Sequence, residues 1–134
     1  MSEYLYFQQK PAPKPEITAN RKQIIDKIIE ELSPQGIQVF YLNGREISSK
    51  ETFLIKAAQA MKFPAYYGAN WDAFDECITD LTWCPAQRYV LLYDRPDIFA
   101  TADPNQWQIA VDILHSASDY WGTTNTPLDV FLMN

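Results

Sequence analysis

Tyr89-Val90-Leu91-Leu92-Tyr93 is apolar at all five positions, with no alternation of apolar and polar residues. A short run of this kind, rich in aromatic and branched side chains, reads as a strand covered on both faces. Such strands belong to parallel sheets, which require neighbouring strands and helical crossovers. Upstream, Val39-Phe40-Tyr41-Leu42 forms a second apolar run, ended by the turn pair Asn43-Gly44. Downstream, Leu128 to Met133 gives a third.

Helical patterns lie between these strands. Ser48 with Glu51 reads as a capping box for a helix to about Met61, with Phe53, Leu54, Ala57, Ala58 and Met61 facing inward. Phe63-Pro64 ends it. Asn70 caps a second helix to about Leu81. Asp103-Pro104-Asn105-Gln106 starts a third, with Trp107, Ala110, Val111, Leu114 and Trp121 inside and Gly122 at its end. Strands joined by helical crossovers pair in parallel. The predicted class is α/β, a three-stranded parallel sheet packed with helices.

Residues 1–36 read as an N-terminal extension to a domain spanning 37–134. Pro11, Pro13 and Pro15 alternate, so residues 1–19 should be extended and linker-like. Asn20 then caps an extra N-terminal helix on which Ile24, Ile25, Ile28, Ile29 and Leu32 form one apolar stripe. Ser33-Pro34-Gln35-Gly36 stops it. The stripe is expected to pack on the main domain; self-association through residues 20–32 is the other use open to it.

Over the 134 residues, 17 Asp and Glu stand against 11 Lys and Arg, for a net charge of −6. The charge is uneven: residues 1–36 are neutral, 37–62 carry +2 and 63–134 carry −8. That balance argues against free nucleic acid or an anionic membrane as a direct partner. Two cysteines, Cys77 and Cys84, and one histidine, His115, give no zinc spacing. His115 is read as structural or exposed. No nucleophile triad and no glycine-rich phosphate loop is present, and no cofactor is expected. No leader or membrane span is evident, so a cytoplasmic protein with reduced thiols is expected.

Residues 66–83 read Y-Y-G-A-N-W-D-A-F-D-E-C-I-T-D-L-T-W. At about 100° per residue, Trp71, Phe74, Cys77, Ile78 and Leu81 fall on one helix face. Asp72, Asp75, Glu76, Thr79 and Asp80 fall on the other. Asp72 in the first turn is favoured by the helix dipole, but only by a few tenths of a kcal/mol. The remaining acids repel at about 0.2–0.5 kcal/mol per pair, with no Lys or Arg on the helix to offset them. A single-sign patch awaiting a cationic partner accounts for this pattern better than a solvated face does. Tyr66, Tyr67 and Gly68 precede it, and one tyrosine is expected to be buried and the other accessible.

The run from Tyr66 to Thr79 resembles the signature of the barstar family of ribonuclease inhibitors, Y-Y-G-x-N-x-D-A-hydrophobic-x-[DE]-C-[LI]-T. The resemblance covers about residues 37–134 and implies the same three-stranded parallel fold. It also implies an intracellular inhibitor that places this helix and the preceding loop in the active site of a basic ribonuclease, one the same cell makes as a toxin or a secreted enzyme. Tyr66 would pack on the enzyme's catalytic region. Asp72 and Glu76 would be the principal acids and Thr79 a contact one turn on. Asp75 stands where the family has a tryptophan contact, and Glu76 replaces an aspartate. Asp80 and Leu81 replace a glycine and another tryptophan, for which Trp83 could compensate. The expected partner surface is therefore Tyr66, Tyr67, Gly68, Asn70, Asp72, Asp75, Glu76, Thr79, Asp80 and Trp83. Two alternatives stand beside it: an adaptor for some other basic protein, and an enzyme using Asp72, Asp75 and Glu76 as acid/base or metal ligands.

Overall fold

The computed structural model describes residues 4–6, 21–64 and 67–133. The Asn20 cap, the proline run and Tyr66 lie outside them. The three apolar runs form strands β2 (Ile37–Asn43), β3 (Arg88–Asp94) and β4 (Leu128–Met133), parallel and in that order across the sheet. Val39 lies beside Val90, and Leu91 beside Val130. A fourth strand, β1 (Tyr4–Tyr6), adds antiparallel to the free side of β4. Its sequence falls in the segment expected to be linker-like. Three residues are too few for a periodic signal, and pairing with β4 is what makes them a strand.

Helices cover both faces. The larger core joins Phe40, Leu42, Leu91, Tyr93, Val130 and Leu132 to helices α2 (Lys50–Ala60), α3 (Trp71–Ile78), α4 (Asp97–Ala102) and α5 (Pro104–Gly122). The opposite face, with Val39, Val90, Leu92, Phe131 and Met133, is covered by α1 (Arg21–Leu32) through Ile25, Ile28, Ile29 and Leu32. The extra helix thus supplies the second cover that the unbroken apolar run of β3 demands. Its stripe is used against the sheet.

Buried charge ties this second layer to the sheet at one end and joins two strands at the other. Asp94, only 1% exposed, accepts from Arg21 at the start of α1, from Arg45 (3.0 Å) and from the Tyr41 hydroxyl (2.8 Å). Burial and this bond to Asp94 push the Tyr41 hydroxyl up to about 12. At the other end of the strands, Arg88 pairs with the buried Asp129 (Nε to Oδ2, 2.9 Å). Gly44 lets the turn after β2 press on β3: a Cβ there would sit 2.1 Å from the Asp94 carbonyl oxygen.

Three local expectations change. The α2 capping box uses Ser49 and Thr52, not Ser48 and Glu51: the Ser49 hydroxyl accepts from Thr52 N, and Thr52 Oγ1 accepts from Ser49 N. Adjacent serines offer the same chemistry, and the extended Ser49 backbone (φ −149°) selects it. The acidic helix is shorter than expected and stops at Ile78, with Thr79 as its C-cap and Leu81 in the left-handed region (φ 52°). The six-residue α4 was not anticipated; it ends at Asp103, which also caps α5 by accepting from Gln106 N.

Candidate functional site

Helix α3 is held by its neighbours before it presents anything to solvent. Asn70 Oδ1 accepts from Ala73 N at 2.8 Å and starts the helix. Phe74, Cys77 and Ile78 are buried, and Phe74 meets Phe53 edge to face. Two tryptophans tie its ends to α5. The Trp71 indole donates to Gln106 Oε1 (2.9 Å), and the Trp121 indole donates to the Ile78 carbonyl (2.8 Å). The second bond satisfies one of the carbonyls left open at a helix C-terminus. Gln106, read only as part of a helix start, is thus a support of the acidic helix. Its role depends on a partner 35 residues away, which no local pattern reveals.

On the outer face, Asp72, Asp75 and Glu76 are exposed. They lie within an arc of about 100°, and Asp72 and Glu76 are separated by about 6 Å along the axis. Among the described residues none of the three has an ion-pair partner. Thr79 is partly exposed, and its hydroxyl donates back to Asp75 O (2.8 Å) and Glu76 O (3.2 Å). Asp80 is not on the helix face as expected. It follows the C-cap, partly exposed, with its N–H donating to Cys77 O. Leu81 is fully buried and belongs to the core. The Cys77 thiol is pushed up by burial and then by the neighbouring charges of Asp80 and Glu76, so it stays protonated.

Aromatic residues flank the acids. Tyr67 is half-buried, edge to face with Phe63 at 5.1 Å, and its hydroxyl donates to the Leu54 carbonyl. Burial pushes that hydroxyl to about 12. Trp83 also meets Phe63 edge to face at 5.8 Å, its indole donating to Met61 O. Both rings are fixed, with part of their surface in solvent. Gly68 and Asn70 are exposed in the loop between Tyr67 and the helix. Cys77 and Cys84 are free thiols, and Cys84 Sγ donates to Gln38 Oε1. His115 is exposed, near Asp119.

The fold is thus a parallel three-stranded core sheet whose acid-faced helix follows a Tyr-Gly-x-Asn loop. The chain matches the family model described as Barstar (barnase inhibitor) over residues 37–133, well over half its length. It belongs to that family, one of inhibitors and not of enzymes. The enzyme alternative falls with this assignment. No curated protein matches the chain individually. No helix among the described residues is long and apolar enough to cross a membrane.

Proposed function

We propose that this protein binds a basic ribonuclease and blocks its active site with the outer face of α3 and the loop before it. The observation that carries the reading is the set Asp72, Asp75 and Glu76: exposed, unpaired among the described residues, and borne on a helix pinned at both ends. Like charges held so close gain only when cations arrive between them. A ribonuclease cleft supplies such cations, because it binds phosphates. The pinned helix lowers the ordering cost of association, and the fixed rings of Tyr67 and Trp83 add stiff apolar contact. Tyr66, Gly68, Asn70, Thr79 and Asp80 complete the surface. Asp75, in place of a family aromatic, suits a target with one more cation. Two reduced cysteines suit a reducing compartment such as the cytoplasm.

The test is titration against basic ribonucleases, read both by calorimetry and by inhibition of RNA cleavage. Asp72→Ala and Glu76→Ala should each weaken binding by about 2–5 kcal/mol, much of it from leaving enzyme cations unpaired. Stability should hardly move. Tight binding that leaves RNA cleavage intact would instead support an adaptor role, and affinity unchanged in both variants would remove the acidic face from the interface.

A further inference from the structure

The sheet has two edges, and they are finished differently. The β4 side is closed by β1, whereas β2 is terminal in the sheet and has no strand on its outer side among the described residues. Hydrogen bonds fix which of its groups point outward. Gly36 O accepts from Gln87 N and Arg88 N, so the even-numbered residues of β2 direct their backbone groups toward β3. The Val39 carbonyl accepts instead from the Gln38 side-chain amide at 3.1 Å, which places it on the other side. The amides and carbonyls of Val39 and Tyr41, and the amide of Asn43, therefore face the open edge. Proteins usually protect such an edge with lysine, proline or a bulge. Ile37-Gln38-Val39-Phe40-Tyr41-Leu42-Asn43 has no charge and no proline, and its register with β3 is unbroken.

Two grooves flank this edge and share Tyr41 and Asn43. One runs under α1 and is lined by Arg21, Lys22, Ile25, Asp26 and Arg45. The other lies toward α2 and is lined by Glu46, Lys56, Gln59 and Ala60. A strand laid on β2 would send successive side chains alternately into these grooves. Their charges differ. The α2 groove is balanced, Lys56 pairing with Glu46 at 3.7 Å. The α1 groove holds three cations against Asp26 and the buried Asp94, and Lys22 and Arg45 remain exposed. Each of the three cations is paired within the fold, and the recess as a whole carries one net positive charge on an acidic protein.

We propose that the outer edge of β2 is a second interaction surface, which takes an extended segment of a partner protein with carboxylates at every second position. The backbone of that segment would complete the ladder at Val39 and Tyr41. Its acids would enter the recess of Arg21, Lys22 and Arg45, and its intervening residues would meet Gln59 and Ala60. This surface is distinct from the α3 face and does not depend on what that face binds.

The probe is the synthetic peptide acetyl-Thr-Glu-Val-Glu-Val-Glu-Thr-amide, added to the full chain while backbone amides are followed by NMR and hydrogen exchange. The expected result is saturable binding that slows exchange of the Val39, Tyr41 and Asn43 amides at least tenfold. Lys22→Glu, a change at an exposed side chain, should weaken it at least tenfold, and a lysine-for-glutamate peptide should not bind. N-methylating the peptide amides that face the edge should abolish binding while leaving every side chain in place. Equal binding of the methylated peptide, or exchange unchanged at saturating peptide, overturns the proposal. So does tenfold protection of these amides without peptide, which would show the edge already taken by this chain or a second copy.

Discussion

Replacing Asp94 by alanine tests whether buried charge holds the N-terminal helix in the fold. Asp94 closes β3 on the face that α1 covers, and its two oxygens engage α1 through Arg21, the turn after β2 through Arg45, and β2 itself through Tyr41. Removing one side of a buried pair typically costs about 3–5 kcal/mol, because the remaining charge is left without compensation. Here the arginine side chains retain 24% and 44% exposure and can turn toward water. That lowers the expected loss to about 2–4 kcal/mol. In urea titrations the midpoint should fall by about 1–2 M with the slope unchanged, since the surface exposed on unfolding is the same. Asp94→Asn, which keeps the size and can still accept from Tyr41, should fall between wild type and alanine. A cycle with Arg21→Ala should give a coupling of about 1–2 kcal/mol. A loss below about 1 kcal/mol, or strictly additive effects, would show that the cluster behaves as a surface pair and that apolar packing alone docks α1.

Four further outcomes follow from the same geometry. Tyr41 and Tyr67 keep their protons up to about pH 12 in the fold but only to about 10 when unfolded, so their contribution to stability should be level below pH 10 and decline from there toward 12; Tyr41→Phe should flatten that decline in urea titrations across the range. Gly44→Ala would drive a methyl group into the Asp94 and Arg95 carbonyl oxygens, at 2.1 and 2.2 Å, and should cost at least about 3 kcal/mol by thermal denaturation. Leu81→Gly should relieve about 1–2 kcal/mol of left-handed backbone strain but lose about 2–5 kcal/mol of packing, for a net loss of about 1–3 kcal/mol by the same method. We propose that residues 37–134 form the binding domain and 1–36 an accessory cover; a chain beginning at residue 37 should still bind through α3, but should expose Val39, Val90, Leu92, Phe131 and Met133 and therefore bind a hydrophobic dye and self-associate on gel filtration.

The parts of this fold that sequence disclosed are those with a period or a terminator. The run Tyr89–Tyr93 announced a strand covered twice, and the Asn43-Gly44 and Asp103-Pro104 punctuation placed the neighbouring elements within a residue or so. What sequence did not disclose depended on contacts distant in the chain. β1 exists through pairing with β4, and Gln106 acquires its role only when α5 lies against Trp71. The end of α3 is a similar case. Helical periodicity continues through Leu81 and so predicts Asp80 on the acidic face. The helix in fact closes at Ile78, and Leu81 enters the core from a left-handed backbone. Core demand for the Leu81 side chain overrides the steric preference that usually puts glycine at such a position.

The concentration of ten acids between residues 63 and 134 takes on a different meaning once each is placed. Asp94 is buried against Arg21 of α1 and Arg45, and Asp129 against Arg88 of the neighbouring strand. Asp97 is held by Arg95 through two hydrogen bonds, which lower its carboxyl below the usual range. Asp103 caps α5, Asp112 accepts from Gln108, and Asp119 lies beside His115. Each of these six is matched to a donor or cation within the fold. The other four are Asp72, Asp75 and Glu76 on α3 and Asp80 just after its C-cap, without such a match among the described residues. A requirement for solubility would not sort acids in this way, since any exposed position serves solubility equally. Within this stretch, three of the four unmatched acids sit on one pinned helix and the fourth just past its end, which is the distribution the proposed interface calls for. Screening should then distinguish the two sets: added salt should weaken the complex and slow its formation, while the Asp94 and Asp129 pairs, whose carboxylates are buried, are screened less and keep the fold intact.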